Sequence, residues 1–182
     1  MTLLIASDIH GSARCCAALL ERIAETKPDR VLLLGDLLYH GPRNALPGEY
    51  DTKAVAEMLN TLTPAPLCVR GNCDSEVDQM ISDFPIREDF STDWQGRRVF
   101  FTHGHKCNPD LPSKDAKSGD IVFYGHFHRA MLKVCDGVAY ICVGALGLSP
   151  EGVERSYAIL DESGVKVKTL EGDKTLIEYK FD

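Results

Sequence analysis

Five short segments of the sequence combine residue types that bind divalent metal ions, and each follows a run of apolar residues. The segments are Asp8-Ile9-His10, Gly35-Asp36, Gly71-Asn72-Cys73-Asp74, His103-Gly104-His105 and Gly125-His126-Phe127-His128. Their oxygen and nitrogen ligands favour Mn, Fe, Zn or Co over Cu(I) or an iron–sulfur cluster. Neighbouring carboxylates repel one another and buried imidazoles need partners, and a bound cation would resolve both problems.

The number of these ligands exceeds the four that one tetrahedral site uses. We therefore predict two divalent cations roughly 3.5–4 Å apart, with one carboxylate bridging them. A hydroxide that bridges two such cations is a strong nucleophile at neutral pH, and both cations can hold phosphoryl oxygens and neutralise developing charge. The chemistry that this pattern favours is hydrolysis of a phosphate ester.

The spacing of apolar residues predicts elements that would bring the five segments together. Short apolar runs predict strands at 3–7, 30–34 and 67–69, and helical spacing predicts helices at 12–27 and 51–62 between them. This alternation predicts parallel strands, whose carboxyl ends form one ligand-binding edge. The second half predicts seven more strands, at 98–102, 120–124, 131–135, 138–143, 156–160, 165–170 and 176–181. The expected fold is α/β, with two packed sheets flanked by helices.

Length, charge and cysteine content narrow the class of protein. A chain of 182 residues fits a single domain, which we place at 1–182. The net charge of −7 disfavours long nucleic acids and anionic membranes as partners. No apolar run approaches the roughly 20 residues of a membrane span, and no signal peptide is indicated. Seven cysteines without a C-x-x-C spacing indicate reduced thiols, and hence a cytoplasmic protein.

The five segments, in this order, resemble the pattern D-x-H, G-D, G-N-x-[DE], H-G and G-H-x-H of the calcineurin-like metallophosphoesterases. Within that superfamily, the stretches 8–12, 40–47 and 70–79 resemble the small bacterial YfcE-type phosphodiesterases. The resemblance covers nearly the whole chain and fades after residue 143. It implies a four-layer sandwich of two mixed β-sheets flanked by helices. It also implies a metal-dependent phosphodiesterase that takes a small or nucleotide-like diester, with two divalent ions: Mn²⁺ first, or Fe, Zn, Co or Ni.

The resemblance assigns a role to each candidate residue. The first metal would be held by Asp8, His10, Asp36 and His128. The second would be held by Asp36, Asn72, His103 and His126, with Asp36 shared between the two. Among these, the catalytic residues would be Asp36, Asn72 and His103.

The long loop 37–50 directly follows Asp36 and is expected to contact the substrate. Arg43 suits bidentate binding of a phosphoryl group, although pairing with Glu49 or Asp51 on the surface is equally ordinary. The predicted substrate-binding residues are His40, Arg43, Asn72 and Cys73. His105 either helps to orient the site or is simply solvated.

The sequence departs from the superfamily pattern at two places. Cys73 stands where many members carry a His thought to protonate the leaving group. Nearby cations would lower the pKa of this thiol, and a thiolate cannot donate a proton, so we expect good leaving groups to react best. Residues 142–145, Cys-Val-Gly-Ala, stand where YfcE-type relatives show Asn-Pro-Gly-Ser, and the lost polar groups could have supported the metal ligands.

Two other functions remain open from the sequence. The first is a non-catalytic metal-binding scaffold or interaction protein of the same fold, such as the retromer subunit in this superfamily. The second is a phosphomonoesterase. The β-rich second half also offers strands through which a homo-oligomer could form.

Overall fold

A computed structural model describes residues 1–181 of the chain and shows three helices and twelve strands in that range. The helices are α1 (Ala13–Thr26), α2 (Thr52–Asn60) and α3 (Glu76–Ile81). The first six strands are β1 (Leu3–Ala6), β2 (Arg30–Leu33), β3 (Leu67–Val69), β4 (Ile86–Arg87), β5 (Phe90–Trp94) and β6 (Arg97–Phe101). The others are β7 (Ile121–Tyr124), β8 (Ala130–Cys135), β9 (Val138–Val143), β10 (Ser156–Asp161), β11 (Gly164–Thr169) and β12 (Thr175–Lys180).

The strands form two mixed sheets, as the sequence predicts. The seven-stranded sheet has the order β12-β11-β10-β1-β2-β3-β4, with β1 to β4 parallel and the C-terminal strands antiparallel. The five-stranded sheet has the order β5-β6-β7-β9-β8, and its three central strands are parallel. Each sheet therefore has parallel strands whose carboxyl ends can carry ligands.

Side chains that alternate along the strands build the core on both faces of each sheet. On β1, Leu3 and Ile5 face the five-stranded sheet, whereas Leu4 and Ala6 face helices α1 and α2. On the five-stranded sheet, Phe123 stacks on Phe101 with ring centroids 5.6 Å apart in the layer between the sheets. Complete burial of each large apolar side chain contributes about 1.5–3 kcal/mol. These layers fix the two sheets relative to each other.

The outer face of the five-stranded sheet is covered differently from that of its partner. Val122, Tyr124 and Tyr140 pack there against Cys107 and Ala116, which belong to the irregular segment 102–119. The predicted helical cover is thus present over the seven-stranded sheet, as α1 and α2, while an irregular segment covers the other.

Helix boundaries follow the sequence signals closely. Ser12 caps α1 by accepting a hydrogen bond from the Cys15 N–H, and Asp51 caps α2 by accepting one from the Ala54 N–H. The segment 37–50 is a long loop, as predicted. The elements α3, β4 and β5 were not predicted by the sequence analysis.

In residues 1–181, no helix combines the length and the apolar character that crossing a bilayer requires.

Candidate metal centre

The five ligand-bearing segments meet at one edge where the two sheets face each other. Asp8 and His10 follow β1, Asp36 follows β2 and Asn72 follows β3, all in the seven-stranded sheet. The other sheet supplies His103 after β6, and His126 and His128 after β7. The carboxyl ends of parallel strands from both sheets therefore converge on one polar cluster, as the spacing predicts.

The first half of this cluster surrounds His10. Its Nε2 lies 3.2 Å from His128 Nε2 and 3.6 Å from Asp8 Oδ1. Asp8 Oδ1 in turn lies 3.2 Å from His128 Nε2. Asp8, His10 and His128 therefore form a set whose ligand atoms are close enough to hold one ion.

The second half of the cluster surrounds His103, which is fully buried. Its Nε2 lies 3.0 Å from Asn72 Oδ1 and 3.4 Å from Asp36 Oδ2. The ring of His126 lies beside it, with centroids 5.1 Å apart. Asp36 Oδ2 also lies 3.7 Å from His10 Nε2, so this single oxygen stands between the two halves.

Two of the imidazoles are oriented by backbone carbonyl groups. Nδ1 of His10 is 2.7 Å from the Tyr39 carbonyl, and Nδ1 of His103 is 2.7 Å from the Leu34 carbonyl. With Nδ1–H donating to a carbonyl, the neutral ring turns the Nε2 lone pair towards the carboxylates. Lone pairs of nitrogen and oxygen then face one another at about 3.2–3.7 Å, which is the arrangement that a divalent cation satisfies. The residues present fit a pair of such ions.

Without metal, protons partly take the place of the cations. Burial opposes the charged form of His103, but the hydrogen bond and charge of Asp36, together with the charge of Asp8, raise its pKa to about 9. Burial also opposes ionisation of Asp8, yet its hydrogen bonds with His10 and His128 hold its pKa well below the usual range. The carboxylates are therefore charged and ready to bind cations at neutral pH.

Five of the candidate ligands adopt left-handed backbone conformations, which residues other than glycine rarely take. Their φ angles are 58° for Asp8, 49° for His10, 54° for Asp36, 67° for His126 and 54° for His128. Such conformations cost on the order of 1 kcal/mol or more each and persist where the surrounding structure enforces them. Their concentration at this edge marks a functional site.

Asp74 is buried and holds the Asp36 turn in place. Its two carboxylate oxygens accept hydrogen bonds from the backbone N–H groups of Asp36, Leu37 and Gly71, at 2.7–2.9 Å. The sequence analysis did not assign this role to Asp74, although its place in Gly71-Asn72-Cys73-Asp74 was a signal. Since both oxygens are committed to the backbone, Asp74 is a positioning residue.

A cavity of about 670 Å³ opens onto the cluster. Three of the four predicted substrate-binding residues line it: Arg43, Asn72 and Cys73. Burial, followed by the charge of Asp36, raises the pKa of the Cys73 thiol to about 12 in the metal-free protein. The thiol is therefore protonated at neutral pH in the absence of metal. The Cys73 N–H donates to Asp36 Oδ1 at 2.8 Å.

The structure places His40 and His105 outside the lining of this cavity. The His40 ring lies between Tyr39 and Tyr50, with centroids 4.9 and 5.3 Å away. The His105 ring lies 5.4 Å from His103 and borders a different cavity.

Residues 142–147 support the turns that carry the candidate ligands, mainly through backbone groups. The Cys142 thiol lies 3.4 Å from the Gly125 carbonyl and donates to it. The backbone N–H groups of Leu146 and Gly147 donate to the carbonyls of Ser7 and Asp8. Residues 142–145 lack the polar side chains of the family pattern, but backbone hydrogen bonds from the residues that follow still hold the turn after β1.

Comparison with known proteins identifies the family of this chain. Residues 1–164 match the calcineurin-like phosphoesterase superfamily domain. The chain belongs to this superfamily. Phosphodiesterase YfcE of Escherichia coli strain K12 is 39% identical over 183 residues, covering 97% of this chain and 96% of that protein.

Two solved structures share the fold. The structure of YfcE, a phosphoesterase from E. coli, superimposes with a TM-score of 0.95 and 35% identity, covering all of both chains. Vps29 from Entamoeba histolytica matches with a TM-score of 0.66 and 21% identity over all of both chains, which shows a common fold only.

Proposed function

We propose that this superfamily member is a dinuclear metal-dependent phosphodiesterase acting on a small or nucleotide-like phosphodiester. The observation that carries the proposal is the position of Asp36 Oδ2, which lies 3.7 Å from His10 Nε2 and 3.4 Å from His103 Nε2. One carboxylate oxygen at the junction of two ligand sets is the feature of a two-metal site. The seven proposed ligands are Asp8, His10, Asp36, Asn72, His103, His126 and His128.

When bound, the two cations would supply a nucleophile at neutral pH and neutralise charge on the phosphoryl group. The chain itself binds and orients the diester. Arg43, which has no carboxylate within 4.0 Å among residues 1–181, offers its guanidinium to a non-bridging oxygen. Asn72 directs its amide N–H towards Cys73 at the cavity wall, where it can donate to the same phosphoryl group.

The decisive experiment removes and restores the metal. The chelated protein should be inactive on bis(4-nitrophenyl) phosphate, and Mn²⁺ should restore hydrolysis. Asp36→Asn should lower the restored activity by more than about 100-fold. Loss of a residue that only supports a metal ligand typically costs about 10–100-fold, and Asp36 would itself be a ligand shared by two ions. Faster hydrolysis of 4-nitrophenyl phosphate than of the diester would instead identify a phosphomonoesterase. A protein that binds two Mn²⁺ ions yet hydrolyses neither ester would be a scaffold.

The Cys73 position bears on the choice of leaving group. Since no imidazole stands there, Cys73→His should raise the rate on a diester with a poor leaving group, such as a dialkyl ester, relative to the nitrophenyl ester. The comparison of the two rates in wild type and variant checks this. If the ratio is unchanged, departure of the leaving group does not depend on an acid at residue 73.

We also propose that the native metal is Mn²⁺, that residues 1–182 act as one domain and that the protein works in the cytoplasm. Metal analysis of protein purified without added metal tests the first. The seven cysteines, none in a disulfide within residues 1–181, support the cytoplasmic location.

We also propose that the protein self-associates through edge strand β8, which exposes Leu132 and Val134. If β8 pairs between copies, Val134→Lys should lower the mass measured by light scattering.

A further inference from the structure

Tyr39 is an exposed aromatic residue at the edge of the metal cluster. It is 42% exposed and lines the cavity together with His10, Asp36 and Asn72. Large aromatic side chains are mostly buried in this protein, as Tyr124, Tyr140 and Phe123 illustrate. An aromatic side chain on the wall of a cavity that also carries charged and hydrogen-bonding groups is placed to contact a ligand.

The backbone of Tyr39 is bonded to a candidate ligand, and its ring packs against the His40 ring. The Tyr39 carbonyl accepts the Nδ1–H of His10, so its backbone is fixed by a candidate metal ligand. The His40 ring packs edge-on against Tyr39, and His40 in turn packs edge-on against Tyr50. Asn44 closes the loop by donating to the His40 carbonyl at 2.8 Å. These contacts hold the ring in place before any ligand arrives, which reduces the entropy cost of binding.

The charged and polar part of the cavity surface suits a phosphoryl group, and Tyr39 offers a surface for an aromatic arm. Arg43, Asn72 and the carboxylate and imidazole cluster provide charge and hydrogen bonds. Among the lining residues that the structure describes, Tyr39 carries the only benzene ring. The volume of about 670 Å³ falls within the range of small-molecule sites and leaves room for an organic arm beside the phosphoryl group.

We propose that Tyr39 forms an aromatic subsite that stacks on a planar ring in the retained ester arm, so that the preferred substrates are nucleoside phosphodiesters. This inference rests on the proposed function only in placing the phosphoryl group at the metal cluster. Stacking between a base and an aromatic side chain tolerates any base, so the subsite selects for a base without selecting which one.

Binding measurements test the subsite without relying on turnover. Calorimetry on the Mn²⁺-loaded protein would compare adenosine 5′-monophosphate with ribose 5-phosphate, which differ only by the base. Wild type should bind the nucleotide about tenfold more tightly, the size that base stacking typically gives. Tyr39→Ala should remove this preference while leaving the affinity for ribose 5-phosphate within twofold. Tyr39→Phe, which retains the ring, should keep it.

Leu46 provides the matched control, since it lies in the same loop, is 62% exposed and does not line the cavity. Leu46→Ala should bind both probes as wild type does. A kinetic comparison uses thymidine 5′-(4-nitrophenyl) phosphate and ethyl 4-nitrophenyl phosphate, which share a leaving group. Tyr39→Ala should lower kcat/KM about tenfold for the first diester and less than twofold for the second.

Each outcome decides the proposal. Equal losses on both probes in Tyr39→Ala would show that the residue only positions His10, and would overturn the subsite. A Tyr39→Phe variant that behaves like Tyr39→Ala would assign the effect to the hydroxyl and overturn stacking. If wild type hydrolyses neither diester, the proposed function fails, while the calorimetric preference still supports or refutes the subsite.

Discussion

At the scale of single residues, Asp36 is the ligand that the two proposed ions would share. Its Oδ1 is occupied by the Cys73 N–H, so Oδ2 is the oxygen left to face His10 and His103. The residue pattern predicted a carboxylate shared between two ions, and the family resemblance assigned that position to Asp36. The sequence could not predict which oxygen is available, because that depends on a hydrogen bond from a residue 37 positions away.

Asp74→Asn should weaken both the fold and metal binding. An amide in place of the carboxylate turns an N–H group towards backbone donors, so one of the N–H groups of Asp36, Leu37 or Gly71 loses its acceptor. We expect a loss of about 1–3 kcal/mol in unfolding free energy and a 10–100-fold lower Mn²⁺ affinity. Urea unfolding of the chelated protein and Mn²⁺ titration measure the two effects.

Asp78→Asn is the matched control for Asp74. Asp78 is equally buried, and its carboxylate accepts the Ser75 N–H in the capping box of α3. This variant should lose stability and keep its Mn²⁺ affinity. If both variants lose affinity equally, the effect of Asp74 is general destabilisation rather than orientation of Asp36.

The raised pKa of His103 predicts how metal binding depends on pH. A pKa of about 9, against an ordinary 6.5, means that the protonated ring stabilises the metal-free fold. This contribution is complete below pH 6.5 and is lost as the pH rises through about 9. A cation must displace the same proton, so Mn²⁺ affinity should increase over that interval.

Calorimetry at pH 6, 7, 8 and 9, in buffers of different ionisation enthalpy, would measure both the affinity and the protons released. Urea unfolding of the chelated protein should show stability falling over the same range, and His103→Gln should flatten that decline. A Mn²⁺ affinity that is constant between pH 6.5 and 9 would contradict the role given to His103.

At the scale of elements, the turns after β2 and β3 lie so close together that position 71 has no room for a side chain. A Cβ on Gly71 would lie 2.0 Å from Asp36 Oδ1 and 2.4 Å from the Asp36 backbone nitrogen. Gly71→Ala should therefore displace Asp36, abolish Mn²⁺ binding and destabilise the protein by about 2 kcal/mol or more. Thermal unfolding and Mn²⁺ titration would show both changes.

Gly48→Ala provides the comparison, since a Cβ there meets nothing within 4 Å. It should leave Mn²⁺ binding unchanged. A Gly71→Ala protein that retains the wild-type affinity would mean that the two turns can separate without loss of the site.

The sequence predicted those helices and strands whose capping residues and apolar spacing match the face that the element buries. Helices α1 and α2 and the parallel strands β1, β2, β3, β6, β7 and β9 fall within about two residues of their predicted limits. The short helix α3 escaped because six residues give too few turns for periodicity, although Ser75 and Asp78 form a capping box. Strand β5 escaped because it lies at an edge, where partly exposed residues such as Ser91 and Thr92 break the alternation.

At the scale of the whole molecule, the candidate metal ligands come from both sheets. Asp8, Asp36 and Asn72 come from one sheet, whereas His103 and His128 come from the other. The sequence predicted two packed sheets, but not that strands β10 to β12 of the second half join the sheet of β1. The mutual position of the two sheets depends on side chains such as Ile5 and Phe123 that meet across the core, and no local pattern specifies such contacts.

Because the ligands span both sheets, metal binding should stabilise the molecule as one unit. Each site at a Mn²⁺ concentration 100 times its Kd adds about 2.7 kcal/mol, or roughly 5–10 °C in Tm for a domain of this size. Arg43→Ala should keep this shift because Arg43 lines the cavity without belonging to the ligand set, and Asp36→Asn should lose most of it. Hydrogen exchange should slow together at 35–37 after β2 and at 125–127 after β7. Slower exchange in only one sheet would show that the ions do not join the two sheets. If Asp36 is a ligand of both ions, binding should protect both sets of turns at once.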